Sequence, residues 1–494
     1  MSVLPASISS LAAYLNERGI KVDVFDTTFY KIGDKISDEA RVDLCQVRPF
    51  KFSDVGIQLK TTNMQEDFYK KVNDFDPDIL AISANDFTKG IAINLISEFK
   101  IRYPNIHVIM GGMYPTFFPE HAISNPNIDS ICVGEGYQVL YDLCRNIEDG
   151  VSYNNKYIPN LWVKEKDKIY KNPLRVPIDI DEIPFDDFNI FEEKRLFRPM
   201  QGTMRKMIPI WLDLGCPYNC TYCVAPSIRE MYKKVNFNYL RVKSISHIEN
   251  ELDYQITKYK PDYIYFSSEN FFSRPKTHIK DFAKLYAKKY KIPFWCETRV
   301  ENINDENVKF LKEMGCDRIS IGLESGNEKY RTTFLKKTFT NKQFFDAIAC
   351  LNKHNLNCTI NNIIGLPDET RDMVFDTIKI NKEVIEKNKN IDITFVISAF
   401  VPCGGSGLQK YCIDKGYFDL SAYLKMPYGS FHLRTYLEMP QFSSKEVQGL
   451  LRTFPLYVRF SEEDYEKIKK AENLTIEGDQ IFEELKKDYW SRFR

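Results

Sequence analysis

Apolar residues in this chain fall into short continuous runs, separated by stretches where they recur every three or four positions. IKVDVFD (20–26), DILAISAND (78–86), IHVIMGG (106–112) and IDSICVGEG (128–136) are of the first kind. Ser9 to Arg18, Phe68 to Asp74 and Ile91 to Arg102 are of the second. Continuous runs suit strands buried on both faces, and the spaced pattern suits amphipathic helices packed over them. Residues 1–148 are therefore predicted to form a Rossmann-like α/β domain with a parallel, doubly covered sheet. Each predicted strand ends in a polar or glycine loop, and open α/β sheets bind ligands at those carboxyl ends.

The pattern breaks over 149–205. Pro159, Pro173, Pro177, Pro184 and Pro199 punctuate this stretch. NLWVKEKDKIYKN suggests a small hairpin and DIDEIPFDDF an extended connector, so the segment reads as a domain linker. From 206 to about 402 the alternation returns in six runs: IPIWLDL (208–214), YIYFSS (263–268), PFWCETRV (293–300), RISIGLES (318–325), CTINNIIGL (358–366) and ITFVISAFV (393–401). Helical patterns lie between them at Ser244–Lys258, His278–Lys289, Asp305–Met314, Asn341–His354 and Arg371–Glu386. Six βα units predict a partial (β/α)6 barrel over 206–415, with its site at the C-terminal mouth. Residues 416–494 read as a small helical region that packs on the barrel or covers its mouth.

Composition narrows the class. A length of 494 residues with 43% hydrophobic and 28% charged positions suits an ordered globular protein of two to four domains. Lys plus Arg equals Asp plus Glu at 68 each, which gives no electrostatic case for nucleic acid or an anionic membrane as partner. No apolar stretch reaches the roughly 18 residues needed to span a bilayer, and the start lacks an export signal. A cytoplasmic location is the expectation.

The chemistry lies in LGCPYNCTYC, where Cys216, Cys220 and Cys223 are spaced C-x3-C-x2-C. Scattering 12 Cys at random over 494 residues would give such a triplet roughly 0.007 times per chain. Three thiolates in one loop can hold three irons of a four-iron cluster and leave the fourth open to a substrate. The other nine cysteines form no second close-spaced set. They read as reduced and buried, with Cys296 and Cys403 as the only outside candidates for a ligand.

The triplet, with Tyr222 before its last cysteine, resembles the radical S-adenosylmethionine (SAM) superfamily. The order of segments narrows the resemblance to its cobalamin-binding-domain-containing class, which includes many methyltransferases. SSLAAYLNERGIKVDVFD, MGGMYPTFFPEHAI, ICVGEGYQVLYDL, DIDEIPFDDF, the cysteine loop, IGLESGNEKY, NNIIGLPDET and VPCGGSGL follow one another over residues 5–415. The resemblance implies one [4Fe-4S] cluster on Cys216, Cys220 and Cys223. Its open iron would chelate the amino and carboxylate groups of SAM, and one electron would then break a carbon–sulfur bond to release a 5′-deoxyadenosyl radical.

Further site residues follow from the same likeness. Tyr222 would offer backbone hydrogen bonds to adenine or pack beside the cluster. Ser268 and Glu269 stand where relatives carry an acidic pair or Gly-Gly-Glu and would receive the SAM ammonium; as an isolated turn they would only cap a loop. Alternation puts Glu297 and Arg299 on one face, opposite Cys296 and Thr298. They would hold ribose hydroxyls and the methionine carboxylate, or form a buried salt bridge. Glu324, Ser325 and Asn362 are similarly placed. Gly365-Leu366-Pro367 is either a turn open to adenine or only a strand end. Lys336-Lys337 reads as solvated.

In the first domain the resemblance implies cobalamin held against the barrel mouth. Gly111, Gly112, Tyr114 and Thr116 would line the corrin, Gly134, Glu135 and Gly136 the nucleotide tail, and Ser83, Asn85 and Thr88 the ring. The six histidines (His107, His121, His247, His278, His354, His432) form no D-x-H-x-x-G run, so no imidazole ligand is expected. The chain opens at SVLPASISSL, a point relatives reach after a first strand and its loop, so a sheet lacking that strand and exposing unpaired backbone is expected. The implied activity is cobalamin-dependent C-methylation of an unactivated carbon. Cyclisation or another rearrangement is the alternative, as is a cobalamin-binding accessory protein without radical chemistry. The implied partners are a small-molecule or peptide substrate and an electron donor such as flavodoxin or ferredoxin.

Overall fold

The computed structural model describes residues 4–31, 37–151, 157–426 and 433–493. Two sheets organise it. The first holds β1 (Ile79–Ser83), β2 (His107–Gly111), β3 (Ser130–Cys132), β4 (Leu161–Glu165) and β5 (Lys168–Lys171), adjacent in that order. β1, β2 and β3 run parallel, while β4 and β5 are antiparallel additions. Alternate residues of β2 enter different cores. Val108 and Met110 join Phe68, Phe99 and Ile123, whereas Ile109 joins Val139, Leu143 and Leu161. Both faces are covered, which is why the run between His107 and Gly111 is continuously apolar.

Two expectations for this half are corrected. The hairpin assigned to the linker belongs to the first sheet, with Ser130 paired to Val163 and Cys132 to Leu161. Leu161 and Val163 are fully buried beside Ile109, so apolar burial decides the pairing. The run 20–26 forms no strand. Phe25 packs on Phe68 with ring centroids 5.3 Å apart, and Asp23 and Asp26 pair with Lys71 and Arg195. Side chains anchor the run, but among the described residues no strand lies alongside to complete a ladder. β1 correspondingly pairs only with β2 among the described residues, and its Ala81 and Ser83 are exposed.

The second sheet is a curled half-barrel. β7 (Thr203–Ile210), β10 (Tyr263–Phe266), β11 (Phe294–Thr298), β12 (Cys316–Glu324), β13 (Asn357–Ile364) and β14 (Ile393–Ala399) are parallel neighbours in chain order. β6 (Phe197–Met200) is an antiparallel edge on β7. A separate ribbon pairs β8 (Asp213–Leu214) with β9 (Arg241–Val242). Helices Ile245–Tyr259, Lys276–Lys289, Asp305–Met314, Asn341–Lys353 and Arg371–Lys387 link the barrel strands. The expected six βα units are present. One hydrophobic core runs from Ile210 and Phe266 through Ile321 and Ile360 to Ile397 and into the tail.

That tail packs on the open side of the half-barrel. Helix Ser444–Arg459 starts in a capping box between Ser443 and Glu446 and buries Leu450, Leu451 and Phe454 in the barrel core. It crosses the end of β13, where a Cβ on Gly365 would lie 2.8 Å from a Val447 methyl. Among the described residues no helix is long and apolar enough to cross a membrane.

The halves are joined by polar contacts. Asp86, after β1, accepts the Gly404 N–H at 2.8 Å, and Lys89 donates to the Tyr423 carbonyl at 3.2 Å. Glu135 pairs with Arg241, and its N–H donates to the Tyr232 hydroxyl at 2.9 Å.

Candidate active site

The cysteine loop leaves β8 at the mouth of the half-barrel. It is pinned from three sides. Arg229 donates to the carbonyls of Cys216 and Tyr218. Thr221 donates through its hydroxyl to the Phe334 carbonyl at 2.9 Å, and its own carbonyl accepts the Leu408 N–H at 3.0 Å. Tyr222 donates to Glu324 Oε1 at 3.1 Å. Burial pushes the Cys216 thiol up to about 11 and raises that of Cys223 as well. Metal-free, these thiols hold their protons, so taking up a metal as thiolates releases protons. All twelve cysteines are unpaired, with Cys296 buried in the barrel core and Cys403 half-buried after β14.

Around the loop the structure sorts the expected residues into engaged and open groups. Ser268 is buried and donates to Asp213 Oδ2 at 2.9 Å, and Asp213 pairs with Arg274. Glu269 faces the cysteines closely enough for its charge to raise both Cys216 and Cys223. Glu269 is itself exposed to solvent, and no described residue donates a hydrogen bond to its carboxylate. Glu297 is pushed to about 7 by burial and then by the Glu324 charge, and it too has no donor among the described residues. The Ser325 hydroxyl and the Asn270 Nδ2 are buried without partners. Half-open carboxylates beside orphaned hydroxyl and amide groups fit a polar, cationic ligand next to the thiols.

Other expected residues are already occupied. Glu297 and Arg299 do not pair with each other; Arg299 lies beyond the strand end and takes Glu301 instead. Asn362 exchanges hydrogen bonds with Asn381 on the outer helix, so its amide serves packing there. Lys337 is buried, not solvated: its ammonium is 2.7 Å from Glu324 Oε1. Lys336 adopts φ +54° and remains exposed while its neighbour turns inward. Glu324 itself has φ +63° at an irregularity in the β12–β13 register. Strain of this kind persists where surrounding contacts over-determine it, here the Tyr222 and Lys337 bonds.

Glu369 was not singled out from sequence, although it lies within the GLPDET run. Its Oε2 accepts the N–H groups of Gly365 and Leu366 at 2.7 and 3.2 Å, while Oε1 is buried without a partner. Burial pushes its carboxyl from 4.5 to about 8. Between those values the folded chain keeps a proton that the unfolded chain releases. The contribution to stability is therefore full below about 4.5 and is lost as pH rises through about 8. Melting temperatures of the parent and of Glu369→Gln, followed across that window, should show a decline in the parent that the variant lacks. A parent without this excess decline overturns the assignment.

In the first domain, Ser83 ends β1 and Asn85 and Thr88 follow it at the carboxyl end of the sheet, and all three are exposed. Asn85 accepts the Phe87 and Thr88 N–H groups, giving the loop a fixed shape. Tyr114 is buried in the sheet core, with its hydroxyl on His121. Gly111 ends β2 opposite Ser83. Gly112 (φ +97°) is required by packing, since a Cβ would lie 2.6 Å from the Ala84 carbonyl. Thr116 bridges Gly112 and Gly134. Gly134 and Glu135 form the contact to the barrel, against Tyr232 and Arg241, while Gly136 packs within the first domain beside Leu11 and Cys132. The exposed polar loop after β1 fits a large ligand at the strand ends; the other named side chains are spent on structure. His432 lies outside the described residues.

Away from the loop, Asp305, Cys350 and His354 place donor atoms within 4.8 Å of one another. Lys353 and His354 both bond Asp305 Oδ1, so an ion pair between helices accounts for the group.

Residues 214–380 match the family model of the Radical SAM superfamily, and residues 2–143 that of the B12 binding domain. The chain is 28% identical over 393 residues to an uncharacterized methyltransferase of Pyrococcus horikoshii, across 78% of this chain and 79% of that protein. It is 24% identical over 337 residues to the anaerobic magnesium-protoporphyrin IX monomethyl ester cyclase of Rubrivivax gelatinosus, spanning 67% of this chain and 58% of the cyclase. Its fold is similar to that of the cobalamin-dependent S-adenosylmethionine radical enzyme OxsB with aqua-cobalamin and S-adenosylmethionine bound. The TM-score is 0.65 at 16% identity, covering 99% of this chain and 69% of that one.

Proposed function

For a chain that belongs to the radical SAM superfamily and carries a B12-binding domain, we propose cobalamin-dependent C-methylation of an unactivated carbon in a small-molecule or peptide substrate. The observation that carries this reading is the pinned trio Cys216, Cys220 and Cys223 beside the unpartnered carboxylate of Glu269. When bound, the cluster supplies the electron that cleaves SAM, and cobalamin carries the methyl group. The three cysteines hold the cluster and leave one iron free. Glu269 receives the SAM ammonium, and Ser325 and Glu297 present the remaining polar contacts. Ser83, Asn85 and Thr88 meet the corrinoid. Helix Ser444–Arg459 and the buried strand ends keep water from the mouth. A one-electron donor such as flavodoxin or ferredoxin, in the cytoplasm, completes the system.

Cyclisation is the second reading, favoured by the likeness to the Rubrivivax cyclase. Methylation ranks above it because the chain spans 79% of the methyltransferase relative against 58% of the cyclase. Anaerobic reconstitution with iron, sulfide, cobalamin, SAM and reductant tests the proposal. The expected result is 5′-deoxyadenosine together with a product heavier by one methylene. A product that gains no methylene would establish cyclisation or rearrangement, and an absence of any nucleoside cleavage would leave only a binding protein.

A further inference from the structure

Arg299 leaves the end of β11 and reaches the cysteine loop. Its Nη1 lies 3.1 Å from Cys220 Sγ, and its guanidinium stacks over the Tyr218 ring at 3.9 Å from the centroid. Arg299 is 7% exposed and Cys220 9%. The opposite nitrogen, Nη2, is held by Glu301. Among the described residues no other side chain donates a hydrogen bond to the three sulfurs; the further donors are backbone N–H groups, of Tyr218 to Cys216 and of Val224 and Ala225 to Cys223, the last at 3.5 Å. The guanidinium is thus fixed by a carboxylate on one side and a ring face on another, with one N–H aimed at a sulfur.

A cluster takes up one electron and becomes more negative on reduction, and that charge spreads onto its thiolate sulfurs. A permanent cation donating to one sulfur in a poorly solvated place stabilises the reduced form more than the oxidised form. Hydrogen bonds to sulfur, net charge and exposure are the protein's levers on such potentials. Glu301 opposes the effect with its own charge, so the pair sets the balance.

We propose that Arg299 is a positioning residue that raises the reduction potential of the iron–sulfur cluster through its hydrogen bond to Cys220, with Glu301 as the counterweight. The proposal rests on the reading that Cys216, Cys220 and Cys223 carry the cluster. It gives Arg299 a task separate from contact with the SAM carboxylate, because the effect is present before SAM binds.

The test is a redox titration of the full-length reconstituted protein without SAM, using a low-potential one-electron reductant and reading the reduced cluster by electron paramagnetic resonance. Arg299→Gln should lower the reduced-to-oxidised ratio at fixed poise at least tenfold, a fall of about 59 mV for a one-electron couple. Glu301→Gln should move the potential the opposite way, since it removes only the opposing charge. A structural role for either residue would not produce shifts of opposite sign at unchanged iron content. Should Arg299→Gln fail to load iron, Arg299→Lys keeps the charge but loses the fork, and a smaller fall in the same direction is expected. Unmoved potentials in the variants, or shifts of the same sign, overturn the proposal. So does a variant that weakens SAM binding while the SAM-free potential stays put. A parent chain that takes up no iron overturns the cysteine reading, and the inference falls with it.

Discussion

Alanine at Cys216, Cys220 or Cys223 is expected to abolish SAM cleavage, with loss of the broad iron–sulfur absorbance and no detectable 5′-deoxyadenosine. On the proposed reading each thiol is one of three ligands in the loop; most of the other nine cysteines are buried, and Cys403, close enough to feel the Cys223 charge, is held protonated first by its burial. The folded state should survive. Arg229, Thr221 and Tyr222 hold the loop through backbone and ring contacts that do not involve the sulfurs. Circular dichroism unchanged from the parent, together with lost absorbance, would meet the expectation. Cleavage continuing at the parent rate in any single variant would sink the assignment of the cluster.

The second large effect falls on stability. Lys243 and Glu251 are both fully buried, with their charged atoms 2.7 Å apart, and the Lys243 ammonium also lies 3.4 Å from the Trp211 ring centroid. Trp211 in turn donates to Asp186, which accepts from Ser9 of the first helix. Lys243→Met strands the Glu251 carboxylate in a place without water. Breaking a buried pair from one side costs about 3–5 kcal/mol. At about 2–4 °C per kcal/mol for a domain of this size, the melting temperature should drop by roughly 10 °C. The double variant Lys243→Met with Glu251→Leu should recover most of the loss, because no charge is then left unpaired. A single variant that melts with the parent would show that water reaches the pair.

The barrel was legible because each of its strands is a continuous apolar run followed by an amphipathic helix, a signal carried by local residues alone. The cysteine loop was legible for the same reason: its three cysteines lie within eight residues of one another. What escaped depends on partners distant in the chain. Glu135 looks like part of a glycine loop until Arg241, 106 residues further on, takes its charge. Lys337 follows another lysine and reads as solvated, and only the turn at Lys336 carries it inward to Glu324. Tyr114 follows a glycine pair, yet its ring fills the sheet core. The hairpin at Leu161–Lys171 was recognisable as a hairpin; its place in the first sheet depends on pairing with Ser130–Cys132, some thirty residues earlier. Local pattern identifies elements, while pairing at a distance determines which side chains remain free for chemistry.

The one-sided pairing of β1 bears on how this protein behaves in solution. A row of amide and carbonyl groups along Ile79–Ser83 faces outward with nothing among the described residues bonded to it. Such a row accepts any extended polypeptide that comes within reach, so fragments carrying the first sheet without the barrel should self-associate and precipitate as their concentration rises.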